Sequence, residues 1–541
     1  MDGAELNDLV SLCESRASDG ADCPLYSILD RANNVRELFS FGSLYTRARA
    51  IGAVLQAMDL QNIPVILWYP HGASFIESFY GSVLAGAIAV PFAKPRGSDY
   101  QALARAIVAS GARTLLTVDA LAKHLPTEFY KANNLTIVLT DAIDSANASS
   151  WRRPEITPES IAFIQFTSGS TSHPKGVVVT HSNVMHNSES IRRNLGLSRG
   201  DISVGWLPFY HDMGLIGHLI QPLYTGIHNY VISPLAFVSS PARWLDAMTR
   251  YKGTISGGPN FAYDLCCSKV LLTDDVDLSA WRVAYCGSET ISVKTVTAFT
   301  EKFSKVGFRK AAFHACYGLA ESTLFVCGTS EWRPQSLPGS SRTYCRIGDR
   351  ESAHGVVLVD PLTGSAVEGD MIVGEIWTRS KSVALGYFAE PRMTLEVFCN
   401  LFEGRKGYLR TGDLGFYCEG GLYFVGRQKN LLKIRGKSLY AEDIELHVCE
   451  LARQLGIGRC AALSVTIEVE EATVLLLEHD GKSPMSKTRD SVSQVRSFVC
   501  SEFGFVPTTI RVVGKDVLPL TTSGKLRRNE CIERFTSGEY N

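Results

Sequence analysis

The sequence predicts an α/β protein: a large N-terminal domain of mostly parallel sheets flanked by helices, with a small C-terminal α+β domain behind it. Three observations predict this. The 541 residues are too many for one hydrophobic core. Short β-branched apolar runs alternate with stretches of helical spacing, the pattern of parallel strands joined by right-handed crossovers. After Arg427 the order changes to a hairpin, a helix, two strands, a helix and a strand, within the usual size of one small domain.

Leu38 to Met58 spaces its apolar residues as a helix does. Val65-Ile66-Leu67-Trp68-Tyr69 reads as a buried strand stopped by Pro70. A helix through Phe75, Phe79 and Leu84 follows, then the strand Ala87-Ile88-Ala89-Val90-Pro91. Residues 102–110 are helical, 113–118 a strand and 145–154 a polar connector. Ile161-Ala162-Phe163-Ile164 and Val177-Val178-Val179 read as strands on either side of a loop. Gln428-Lys429-Asn430 is short and polar, as a hinge should be, so the expected domains are 1–429 and 430–541. Beyond it come a hairpin from Leu431, a helix beginning near Glu442, strands over 461–465 and 472–479, a helix over 491–503 and a strand over 509–513.

A net charge of −1, from 54 basic and 55 acidic residues, recommends neither nucleic acid nor an anionic membrane as a partner. The first residues lack a basic and then apolar signal sequence, and the most apolar run, Val83 to Phe92, is too short to span a membrane. The 14 cysteines are scattered without a C-x-x-C pair, the usage of buried free thiols in a reducing compartment. The protein is therefore expected to be cytoplasmic, with no stable membrane insertion.

The loop between the strands is Thr167-Ser168-Gly169-Ser170-Thr171-Ser172-His173-Pro174-Lys175-Gly176. Its backbone N–H groups and hydroxyls can converge on one point, which is what a polyphosphate needs. It is not a Walker A loop, because Pro174 precedes the lysine and Gly176 follows it. Six further stretches stand out: Trp206 to Gly214, Ser256 to Asn260, Tyr317 to Thr323, Tyr408 to Leu414, Gly426 to Glu445 and Leu518 to Lys525. In this order they resemble the adenylate-forming superfamily from residue 38 to about residue 530, nearly the whole chain. The wording Pro208-Phe209-Tyr210-His211-Asp212-Met213-Gly214, Gly257-Gly258-Pro259-Asn260-Phe261 and Leu439-Tyr440-Ala441-Glu442-Asp443-Ile444-Glu445 is most similar to fatty acyl-AMP ligases.

The resemblance implies ATP and Mg2+ as cofactors and a carboxylic acid that attacks the α-phosphorus of ATP. Catalysis of that step is mostly positioning and charge neutralisation. It implies that Thr167, Ser168, Gly169, Ser170 and Thr171 hold the β- and γ-phosphates with Lys175 as supporting charge, and that Glu321 binds the metal. Tyr317, followed by Gly318, would stack on adenine, while Gly287, Ser288 and Glu289 line the purine through backbone groups. Asp413 would accept the ribose hydroxyls, and Arg427 would reach ribose or phosphate from the other side. Lys525 is the expected catalytic lysine, carried in by a mobile C-terminal domain that excludes water. His211 would lie where the carboxylate meets the phosphate; a zinc reading of His211 with His218 lacks a third ligand. Asp212, Gly214, Gly257, Gly258, Pro259 and Asn260 are the expected substrate residues, the glycines either leaving an apolar tunnel or simply serving turns.

Three positions depart from the pattern. The hinge residue is Asn430 where many relatives have Asp, and Ala441 stands where Pro is common. Residues 330–354 are short for the insertion by which fatty acyl-AMP ligases disfavour the rotation that admits coenzyme A. The expected activity is conversion of a medium or long fatty acid to acyl-adenylate, then transfer to the phosphopantetheine thiol of a stand-alone acyl carrier protein or of a carrier domain in a polyketide or peptide synthase. The alternatives are an acyl-CoA synthetase, an amino-acid or aryl-acid adenylating enzyme, and a lipid-sensing pseudo-enzyme. Leu235-Ala236-Phe237-Val238 carries no acid to meet a substrate amine, and the intact Lys525, Glu321 and Asp413 oppose a pseudo-enzyme.

Overall fold

The computed structural model describes residues 6–93, 100–167, 175–338, 342–353, 355–434, 437–452, 455–467, 470–483, 485–521 and 525–540. The chain divides into two compact units. One gathers residues up to Thr167, Lys175–Thr411 and Phe416–Phe424; the other gathers Gly412–Gly415 and the chain from Val425 onward.

Two large, mostly parallel sheets lie in the first unit. A third, six-stranded sheet runs in the order Arg346–Asp349, Gly421–Arg427, Arg405–Cys418, Gly374–Thr378, Val356–Val359, with Asn400–Phe402 paired to Arg405–Cys418. The eight-stranded sheet runs in the order Phe325–Thr329, Phe313–Gly318, Val283–Cys286, Ile255–Gly258, Ile202–Gly205, His228–Val231, Pro24–Leu29, Val35–Ser40. Its interior pairings are parallel and its two edge pairings antiparallel. Its central strands are short and mostly buried, as parallel strands covered on both faces are. The seven-stranded sheet runs Gly386–Tyr387, Lys175–Thr180, Ile161–Thr167, Ile88–Phe92, Pro64–Trp68, Thr114–Thr117, Thr136–Leu139. Here the last five strands pair in parallel, whereas the hairpin Ile161–Thr167/Lys175–Thr180 and the Gly386–Tyr387 strand are antiparallel.

The α/β expectation therefore holds for both large sheets. Leu38 lies in the edge strand Val35–Ser40, and the helix begins at Phe41, where Ser40 and Ser43 form a reciprocal cap. The connector at 145–150 coils as a 3₁₀-helix.

In the second unit the hairpin Leu431–Ile434/Lys437–Tyr440 leads into the helix Ala441–Ala452. A three-stranded sheet of Ile457–Ile467, Glu470–His479 and Thr509–Val513 follows. Strand alternation divides its side chains between two cores: Ala462, Leu475 and Leu477 join Ile444, Val448, Val495 and Val499, while Ala461, Leu463, Val474 and Leu476 join Cys531 and Phe535. The latter face is covered by the helix Arg528–Thr536, which the sequence reading left out. Its polar composition gives no apolar stripe strong enough to announce a helix.

Candidate active site

Lys175 begins the second strand of the hairpin Ile161–Thr167/Lys175–Thr180, directly opposite Thr167 in the strand register. Ser168, Gly169, Ser170 and Thr171 lie outside the described residues. The neighbouring edge strand places Gly386 opposite Val178 and Tyr387 opposite Val177, so Tyr387 is the diagonal neighbour of Lys175. The Lys175 ammonium sits 5.2 Å from the centre of the Tyr387 ring, within cation–π range. The Tyr387 hydroxyl donates to Glu321 Oε1 at 2.7 Å. Further bonds tie the same segment to both sides. Phe388 N donates to Gly176 O at 2.8 Å, Leu385 N to Val178 O at 3.0 Å and Ala384 N to Glu321 O at 2.9 Å.

Glu321 sits on a turn built from unusual backbone. At Gly318 a Cβ would lie 1.8 Å from Leu324 O, so only glycine lets the chain double back there. Thr323 is buried at φ +65°, ψ −60°, with Leu324 N donating to Ser322 O at 2.7 Å. This is the rare γ-turn, costly for a β-branched residue. The Thr323 hydroxyl donates to Ser382 O at 2.7 Å and fixes the turn to the segment that carries Tyr387. Tyr317 is buried and packs at 6.0 Å against Phe424, so at least part of its ring belongs to the core.

The expected purine and substrate residues meet through side chains. Glu289 Oε1 accepts from Phe261 N at 2.6 Å, placing a carboxylate at the start of the helix Asn260–Lys269. Asn260 Oδ1 accepts from Ser292 N at 3.0 Å. Ser288, between Gly287 and Glu289, has φ +69°, another non-glycine in the left-handed region beside the site.

Gly257 and Gly258 are strand residues rather than turn residues. A Cβ at Gly257 would lie 2.0 Å from Tyr285 O, and one at Gly258 would lie 2.5 Å from the Trp206 ring. Gly214 likewise abuts Pro208 O, and Gly287 abuts Cys316 O. These glycines let backbone and aromatic rings approach closely. Pro259 precedes the helix that Asn260 opens.

His211 caps the start of the next helix, and its carbonyl accepts from Leu215 N at 2.7 Å. Gln165, from the hairpin strand, donates to Tyr210 O at 2.8 Å and so tethers the His211 turn to the phosphate-loop hairpin. Asp212 Oδ1 is engaged by Met213 N at 2.7 Å. His218 is separate from His211: it is buried, its Nε2 is 2.8 Å from the Tyr285 hydroxyl, and burial pulls its pKa down to about 3.

In the second unit, Asp413 is buried and its Oδ1 pairs with Arg427 Nε at 3.2 Å. Asn430 donates its side-chain amide to Glu442 Oε1. Thr521 and Lys525 are bonded twice, with Thr521 N donating to Lys525 O at 2.7 Å and Lys525 N to Thr521 Oγ1 at 3.0 Å.

The AMP-binding enzyme family matches residues 27–388. Across nearly its full length the chain is 33% identical to the medium-chain-fatty-acid–[acyl-carrier-protein] ligase JamA of Moorena producens, covering 99% of this chain and 96% of that one. This protein is an AMP-binding enzyme. The fold agrees: the fatty acyl-adenylate ligase of Legionella pneumophila, solved with acyl adenylate and pyrophosphate, is 32% identical with a TM-score of 0.77 over 98% of this chain and 96% of that one. A fatty acyl-adenylate ligase from a study of the Escherichia coli and L. pneumophila enzymes is 28% identical with a TM-score of 0.86 over 100% and 99%.

AMP-binding enzymes of the adenylate-forming superfamily use ATP, and the Lys175–Tyr387–Glu321 cluster lies at the loop where its phosphates are expected. A carboxylate at the loop where phosphates are expected would fit magnesium, an ion that takes one or two carboxylates and fills its shell with phosphate oxygens and water. Sequence reasoning missed Tyr387. Its strand is two residues long and shows no periodicity; the signal available was a Gly-Tyr-Phe run before a proline-started helix.

Proposed function

We propose that the protein activates a medium or long fatty acid as its acyl-adenylate and passes the acyl group to the phosphopantetheine thiol of an acyl carrier protein. The observation that carries this reading is the convergence of a loop lysine, a tyrosine and a carboxylate at the Thr167–Lys175 hairpin. The full-length likeness to JamA supports the choice of acid and acceptor.

A fatty-acid carboxylate oxygen bonds to the α-phosphorus as the bond to pyrophosphate breaks. Lys175 faces the β- and γ-phosphates and Glu321 holds Mg2+, which when bound neutralises charge on the phosphate oxygens. Asp413 orients ribose with Arg427 beside it, and Lys525 supplies positive charge to the α-phosphate in the transition state. His211, tethered to the hairpin through Gln165 and Tyr210, stands near the incoming carboxylate. The stretch Leu235-Ala236-Phe237-Val238 carries no acid to meet a substrate amine, which favours a fatty acid over an amino acid.

Acyl-CoA synthesis is the second reading, favoured by one feature: the stretch between 330 and 354 is short, its described residues forming the hairpin Gln335–Ser336 with Thr343–Tyr344 and the strand Arg346–Asp349. The test supplies the enzyme with decanoate, ATP, Mg2+ and either holo-acyl carrier protein or coenzyme A. Acyl-carrier protein should form, and acyl-AMP should persist beside excess coenzyme A. Clean conversion to acyl-CoA would overturn the carrier assignment.

A further inference from the structure

We propose that Tyr387 is a positioning residue that holds the phosphate-loop lysine and the metal-site carboxylate in register, so that metal-dependent ATP binding depends on its hydroxyl. The inference rests on the reading of Glu321 as the carboxylate that holds Mg2+.

Three features converge on it. Tyr387 uses two different parts of one side chain: the ring face receives the Lys175 ammonium at 5.2 Å, and the hydroxyl donates to Glu321 Oε1 at 2.7 Å. Without such a bridge, cation and carboxylate would be free to pair directly and neutralise each other, leaving neither for phosphate or metal. A phenol on that path keeps the lysine over an aromatic face and keeps the carboxylate aimed by a neutral donor.

The tyrosine itself is immobilised. It is buried, its ring meets Phe398 edge-on at 5.1 Å, and its backbone N donates to Thr394 Oγ1 at 2.9 Å. Gly386 beside it has φ +148°, and a Cβ there would lie 2.3 Å from Thr394, so the chain reaches this register only with glycine.

Finally, the same short segment is bonded to the lysine strand on one side and to the Glu321 turn on the other. A hydroxyl that orients a metal-binding carboxylate typically changes metal affinity by 10- to 100-fold when removed.

The test measures ATP binding by calorimetry, with Mg2+ and separately with EDTA, for the wild type, Tyr387→Phe, Tyr387→Leu and Glu321→Gln. Tyr387→Phe keeps the ring and loses only the hydroxyl. It should weaken Mg2+-dependent ATP binding about tenfold while leaving binding in EDTA and the melting temperature unchanged. Tyr387→Leu, which also removes the aromatic face, should weaken ATP binding in EDTA as well. If Glu321→Gln loses the Mg2+ effect and Tyr387→Phe keeps it, the positioning role is overturned. If Glu321→Gln also binds as wild type does, the metal reading of Glu321 is overturned and the role of Tyr387 with it.

Discussion

Lys525 shows how little a single residue reveals in isolation. A lysine near a C-terminus is ordinarily a solvated surface group, but here the Lys525 backbone is bonded twice to Thr521. If its charge acts mainly on the transition state, Lys525→Ala should slow pyrophosphate release by at least about 100-fold while the Kd for ATP stays near wild type. An unchanged rate would remove it from catalysis. Gly257 is the opposite case, a residue defined by what it lacks. Gly257→Ala would drive a methyl to 2.0 Å from Tyr285 O. The expected cost is about 3 kcal/mol, the upper end of overpacking because backbone cannot move aside as a side chain can. Urea unfolding checks it.

Between elements, the contacts of Asn430 account for one departure from the sequence pattern. The Asn430 amide donates to Glu442, which also lies 3.7 Å from Arg528. An aspartate at 430 would put a second carboxylate against Glu442, so Asn430→Asp should destabilise the C-terminal unit by about 1 kcal/mol. Adding Glu442→Gln should restore it, as a double-mutant cycle in chemical denaturation would show. The elements that were legible in the sequence are those with their own periodicity: the strands over 64–68, 88–92 and 161–167, the helix over 441–452 and the strand over 509–513. Those that were not derive their form from partners far along the chain. Gly386–Tyr387 is a strand only because it pairs with residues more than 200 positions earlier. The γ-turn at Thr323 depends on Ser382, and the side-chain role of Glu289 depends on Phe261. Motif order exposed the candidate residues; it could not expose a bridge made by a residue outside the motifs.

Across the whole molecule, buried histidines tie stability to pH. Burial lowers His181 to about 4, His218 to about 3 and His314 to about 4, from an ordinary value of 6.5. Between pH 6.5 and 4 the unfolded chain therefore binds more protons at these sites than the folded chain does. Their contribution is intact above about pH 6.5 and is lost progressively as pH falls toward 4, on the order of 3 kcal/mol each. Denaturation midpoints from pH 7.5 to 4.5 should fall steeply. His181→Asn, which keeps an acceptor for the Leu9 amide that bonds His181 Nδ1 at 3.2 Å, should flatten the fall. Mass spectrometry of the products decides whether this AMP-binding enzyme makes an adenylate from a fatty acid. With ATP, Mg2+ and a panel of fatty, aryl and amino acids, acyl-AMP and pyrophosphate should form from medium or long fatty acids, and neither from the Lys525→Ala protein. Adenylates formed only from amino or aryl acids, or from no acid at all, would contradict the fatty-acid reading.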